Sequence, residues 1–114
     1  MDATSLNGSP SLKTDPETST LWLGGALTGA YKASVTRDLA VLLAERRHDI
    51  TVDLTRVTCI SNSMLEVFTA IASLLTPPRR LIMRAPADLE IPGRLATRLP
   101  NPETLAQRMA VHEE

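Results

Sequence analysis

The stretch Asp53-Leu54-Thr55-Arg56-Val57-Thr58-Cys59-Ile60-Ser61-Asn62-Ser63-Met64-Leu65 joins an extended segment to a helix through a polar corner, and the rest of the chain is arranged around it. Upstream, Ile50, Val52 and Leu54 alternate with Thr51 and Asp53, the period of a strand with two unlike faces. Downstream, Met64, Phe68, Ile71 and Leu75 recur at steps of four, three and four, so one stripe of a helix is apolar while Glu66 and Thr69 lie off it. Ser61, Asn62 and Ser63 sit between the two, where their side-chain oxygens can accept from the unpaired N–H groups of the first helical turn. That turn also directs a partial positive charge and a serine hydroxyl at solvent.

Working outward, the order of elements is strand, helix, strand, helix, strand. Thr20-Leu21-Trp22-Leu23 reads as a strand ended by Gly24-Gly25, a pair suited to a tight turn. From Ala30 to Arg47, Tyr31, Val35, Leu39 and Leu42 or Leu43 form one helical face, with charges of both signs on the rest. A strand follows over Asp49–Thr55, and the helix after the corner runs from Ser63 to Leu75, closed by Thr76-Pro77-Pro78 because neither proline can donate the next hydrogen bond. Arg79–Arg84 has the continuous apolar middle of a buried parallel strand. Such alternation predicts right-handed crossovers and a sheet with helices on one side. Beyond it, Pro92-Gly93 interrupts a helix begun at Ala87–Glu90, and Leu95 and Leu99 leave a short apolar stripe. Asn101-Pro102-Glu103 starts a final helix that carries Leu105, Ala106 and Met109 inward and frays at His112. Residues 1–18 are polar and poor in large apolar side chains, so they read as a mobile tail with a short edge strand around Leu12. The domain proper is placed at 19–112.

The corner and its flanks resemble the STAS domain, whose members include the bacterial anti-sigma factor antagonists. Asp53-Leu54-Thr55, then Val57 and an apolar pair before a polar turn and an amphipathic helix, carries the resemblance, with Gly25-Ala26-Leu27-Thr28 similar to the family's Gly-x-Leu-Asp. It implies an α/β fold with a mixed four- to five-stranded sheet and helices mainly on one face. The family's turn reads Asp-Ser/Thr-Ser-Gly; here Ser61, Asn62, Ser63 and Met64 stand at those positions, so Ser63 alone is kept, at the phosphorylatable serine. The resemblance further implies a cytoplasmic regulator that binds a serine-kinase anti-sigma factor and releases a sigma factor. Its contact surface would comprise Thr28, Ser61, Asn62, Ser63, Met64, Glu66 and Val67. A second reading within the same resemblance is an accessory subunit that grips the ATPase of a lipid-exporting ABC transporter. A third is a sensor of nucleotide or another small ligand, testable at Gly25 and Thr28.

Composition narrows the alternatives. A length of 114 residues suits one domain, and 43% hydrophobic with only 3% aromatic residues predicts an aliphatic core. A net charge of −1 provides no general attraction to nucleic acid, and no apolar run is long enough to cross a membrane. The N-terminus lacks the basic start and apolar run of a signal peptide. Cys59, the single cysteine, excludes an intrachain disulfide and reads as a small buried hydrophobe at a strand end. No nucleophile motif, acid–base pair or metal-ligand spacing is present, so an enzyme, a cofactor and a metal are not expected. Ser63 has two readings. As a cap, it fits the Ser-x-x-Glu box with Glu66; as a switch, phosphate would add about −1.5 to −2 charges to a surface facing a partner. Met64 is either part of the Phe68 stripe or an exposed thioether anchor.

Overall fold

The computed structural model describes residues 12–15, 18–45, 49–76, 78–98 and 108–113. Strand β1 (Leu12–Asp15) is the edge strand anticipated around Leu12, inside the stretch read as a tail. β2 (Thr20–Leu27) leads through a 3₁₀ turn (Gly29–Tyr31) into α1 (Lys32–Glu45). β3 (Ile50–Ile60), α2 (Asn62–Leu74) and β4 (Leu81–Ala85) form the next unit. A 3₁₀ turn (Ala87–Leu89), α3 (Ile91–Arg98) and β5 (Met109–Glu113) complete the described chain.

The five strands lie in the order β1-β2-β3-β4-β5, with β1 antiparallel to β2 and every other pair parallel. Consecutive parallel strands joined by right-handed crossovers put all the helices on one side of a sheet. The inward residues Leu21, Leu23, Ile50, Val52, Leu81 and Met83 therefore share one cluster with Val35, Leu39, Phe68, Ile71 and Leu95 from the helices. Phe68 is the one phenylalanine and lies fully buried there; its companions are almost all aliphatic, as the composition required. Among the described residues no helix is long and apolar enough to cross a membrane.

Three local expectations are corrected. β2 does not stop at Gly24-Gly25: it continues to Leu27, and Gly25 adopts a φ of 78°, which a side chain would strain. β3 does not stop at Thr55 but runs to Ile60, because ten of its residues (51–60) are matched to eight of β2 (20–27) through two register shifts. Each extra residue is a bulge that resets which side faces the core, so Leu54, Val57 and Ile60 are all buried at a spacing of three. The first bulge is braced by Asp53, whose Oδ1 accepts from Thr55 N at 3.0 Å and from Thr55 Oγ1 at 2.6 Å. The second turns Cys59 outward, so the thiol is exposed instead of filling the core.

The third concerns the C-terminus. Met109 is buried as expected, yet it belongs to a strand and not to a helix, because Met109–Glu113 completes the parallel ladder along β4. The helix begun at Ala87 is only a 3₁₀ turn that ends at Glu90, whose φ is 55°, and a separate helix then starts at Ile91 and runs through Pro92-Gly93: proline is tolerated in a first turn, where its missing N–H has no partner to lose. Leu95 is buried on α3, while Leu99, Leu105, Ala106 and Asn101-Pro102-Glu103 lie outside the described residues.

Candidate functional site

Where parallel strands end and helices begin, the β2–α1 and β3–α2 corners are held side by side. Leu27 pairs with Ile60, and Ser61 N donates to Leu27 O at 2.9 Å. Thr28 and the Ser61–Ser63 turn therefore occupy the same edge. Thr28 is exposed and caps its 3₁₀ turn, with Oγ1 accepting from Ala30 N at 3.4 Å. Among candidate contact residues, Asn62 and Glu66 are exposed, and Ser61 and Ser63 are half-buried.

The cap of α2 is Ser61, one residue pair earlier than the Ser63–Glu66 box implies. Its extended backbone precedes the helix, and its Oγ accepts from Met64 N at 3.2 Å. Ser63 is then the second residue of the helix and Glu66 lies beyond the first turn, so the two cannot form the reciprocal box. Replacing Ser61 by Ala is expected to cost about 1 kcal/mol of stability, whereas Ser63→Ala leaves stability within about 0.5 kcal/mol; urea melts of the two variants make the comparison.

Freed from capping, the Ser63 hydroxyl makes no hydrogen bond to any described residue. It looks across at Gly29, where an added Cβ would lie 3.5 Å from Ser63 Oγ. The missing side chain at position 29 leaves this approach open.

Two expected contact residues are withdrawn from the surface. Met64 is 0% and Val67 5% exposed, and both belong to the core cluster. They support the corner from beneath and cannot meet a partner directly.

A residue that sequence reasoning missed completes the corner. Arg94 reaches over from α3, its Nη2 donating to Ile60 O at 2.7 Å and to Asn62 Oδ1 at 2.8 Å, and its Nη1 donating to Leu89 O at 3.4 Å. One guanidinium thus fixes the residues on both sides of Ser61 and ties the β3–α2 corner to the start of α3. Its only sequence signal is a lone arginine after Pro92-Gly93, which nothing local connects to Ser61. Among the described residues there is no cluster of three His, Cys, Asp or Glu side chains that could hold a metal.

No family model matches the sequence, and no curated protein matches it. Solved structures from Pseudomonas aeruginosa do. One is a chain in the crystal structure of diguanylate cyclase SiaD in complex with its activator SiaC, at 19% identity over 94% of each chain and a TM-score of 0.60. The fold is similar to that of SiaC. The crystal structure of apo-SiaC agrees at 19% identity, 92% of this chain, 91% of that one and a TM-score of 0.59. A further SiaC structure gives 18%, 94% and 93%, with a TM-score of 0.62. At these identities the likeness to SiaC is one of architecture: the STAS-like α/β fold read from the corner is the fold of the chain.

Proposed function

We propose that this protein is a non-catalytic, cytoplasmic regulator that docks its β3–α2 corner on another protein, with Ser63 as the residue whose phosphorylation breaks the contact. The observation that carries the reading is the Ser63 hydroxyl itself: on a corner pinned by Leu27 O and Arg94, it is bonded to no described group and stands beside a glycine. Thr28, Ser61, Asn62 and Glu66 surround it as the contact surface, and Met64 and Val67 hold the surface in shape.

The partner proposed from the STAS resemblance is a serine-kinase anti-sigma factor, whose capture frees a sigma factor. The SiaC likeness favours a second partner class, a signalling enzyme, since SiaC is named as the activator of the diguanylate cyclase SiaD. A transporter ATPase is the third. For the nucleotide-sensor reading the sequence offers no phosphate cradle, and Gly24 and Gly25 pair with Arg56 and Val57 inside the sheet.

Affinity capture from the native cell, followed by titration of the recovered protein, tests the proposal. Ser63→Glu should weaken binding about tenfold, close to 1.4 kcal/mol, while Ser63→Ala binds like the parent. Equal affinities for both variants would reject the switch, and a transporter ATPase as the recovered protein would reject the sigma-factor reading.

A further inference from the structure

Among the described residues, helices lie on only one side of this sheet, although four of its five strands are parallel. Parallel sheets are ordinarily covered on both faces. On the other side, register places Trp22 beside Asp53, Asp53 beside Arg84 and Arg84 beside His112, a single row running straight across β2, β3, β4 and β5. The next row toward the strand starts is Thr20, Thr51, Ile82 and Ala110. All of these but Ala110 line a shallow depression of about 620 Å³ whose large apolar members, Trp22 and Ile82, are half-buried.

We infer that this face docks a second copy of the chain, with Asp53 of each copy set against Arg84 of the other. The charge pattern selects that occupant. A twofold axis parallel to the strands, passing between β3 and β4, reverses the row onto itself, so Asp53 meets Arg84, Trp22 meets His112 and Thr51 meets Ile82. Within one copy Asp53 Oδ2 and Arg84 Nη1 are 4.0 Å apart, with side chains 13% and 49% exposed. Bringing two such pairs together makes four charges alternating in sign, each acid between two guanidinium groups, while Trp22 and Ile82 lose their remaining water. Strands of the two sheets stay nearly aligned, the usual arrangement for stacked sheets. The same axis keeps both β3–α2 corners at one end of the pair, where they can engage a twofold partner together. Because the face is only a few short strands wide, the dimer is expected to be weak and concentration-dependent.

Sedimentation velocity of the full chain, from micromolar to millimolar, tests this. The weight-average mass should climb from 12.4 kDa toward twice that value, and emission from Trp22, the only tryptophan, should move to the blue in step. Arg84→Glu alone and Asp53→Lys alone should each weaken dimerisation at least about tenfold, since each sets like charges together twice. An equimolar mixture of the two variants should recover it, because each then presents the other's complement. Asp53 also braces Thr55, so if Asp53→Lys fails to fold, Arg84→Lys retaining the dimer that Arg84→Glu loses makes the same point. A constant monomer mass, indifference to Arg84→Glu, or a mixture that stays monomeric would overturn the inference. So would a Trp22 shift produced by removing residues 1–11 without change of mass, which would assign the face to the chain's own N-terminal segment.

Discussion

Phe68→Ala should cost about 4 kcal/mol, leaving the domain close to its unfolding threshold. Phe68 is 0% exposed and is the bulkiest of the fully buried side chains, lying on the stripe of α2 that faces the sheet. Its neighbours in the cluster are almost all aliphatic residues anchored on strands and helices, so little can swing in to fill the space it leaves. The loss is the transfer free energy of the ring plus the cavity term, set against a total on the order of 10 kcal/mol for a domain of this length. Urea denaturation should show the midpoint falling steeply with the slope unchanged. A loss of stability below about 1 kcal/mol would mean that α2 is not seated on the sheet as described.

Arg94→Ala comes next in size, at about 3 kcal/mol, and it acts on the corner more than on the core. The guanidinium donates to a backbone carbonyl at 2.7 Å and a side-chain amide oxygen at 2.8 Å, short bonds from a charged donor. Truncation strands the part-buried Ile60 O, leaves the exposed Asn62 Oδ1 to water, and unties α3 from the first residue of α2. Arg94→Lys should recover less than half of the loss, since an ammonium cannot reproduce the planar fork that reaches Ile60 O, Asn62 Oδ1 and Leu89 O together. Amide hydrogen exchange separates local from global effects: protection should fall first around Ser61–Leu65 and only later in β3. Uniform loss across the sheet would mean that Arg94 supports the whole fold and does not specifically hold the corner.

The architecture was legible because Ile50, Val52 and Leu54, then Met64, Phe68 and Ile71, repeat at periods that only a strand and a helix satisfy, and Leu81 to Met83 repeats the strand signal. Val57, Thr58, Cys59 and Ile60 were not, because two bulges replace the period of two with a step of three. A strand that breaks its own alternation looks like the beginning of a turn. Ser61 against Ser63 as the cap was a choice between two serines two residues apart, decided by where β3 hands its chain to Leu27 O. Met109 was recognised as an inward side chain, but five residues carrying one strong apolar position do not distinguish helix from strand; pairing with β4 decides. Arg94 was out of reach altogether, since its partners at the corner, Ile60 and Asn62, lie more than thirty positions away in the chain.

Strand order across the sheet equals strand order along the chain, β1 through β5. A ribosome releasing this polypeptide therefore supplies each new strand to the rim last laid down, and no segment must wait for a distant one before pairing. The exception is the final piece: until Met109–Glu113 arrives, the backbone of Leu81–Ala85 presents an unpaired rim, the kind of template on which nascent chains adhere to one another. Crowded synthesis would thus place its hazard at the last step of assembly, after the serine-bearing corner has already been formed.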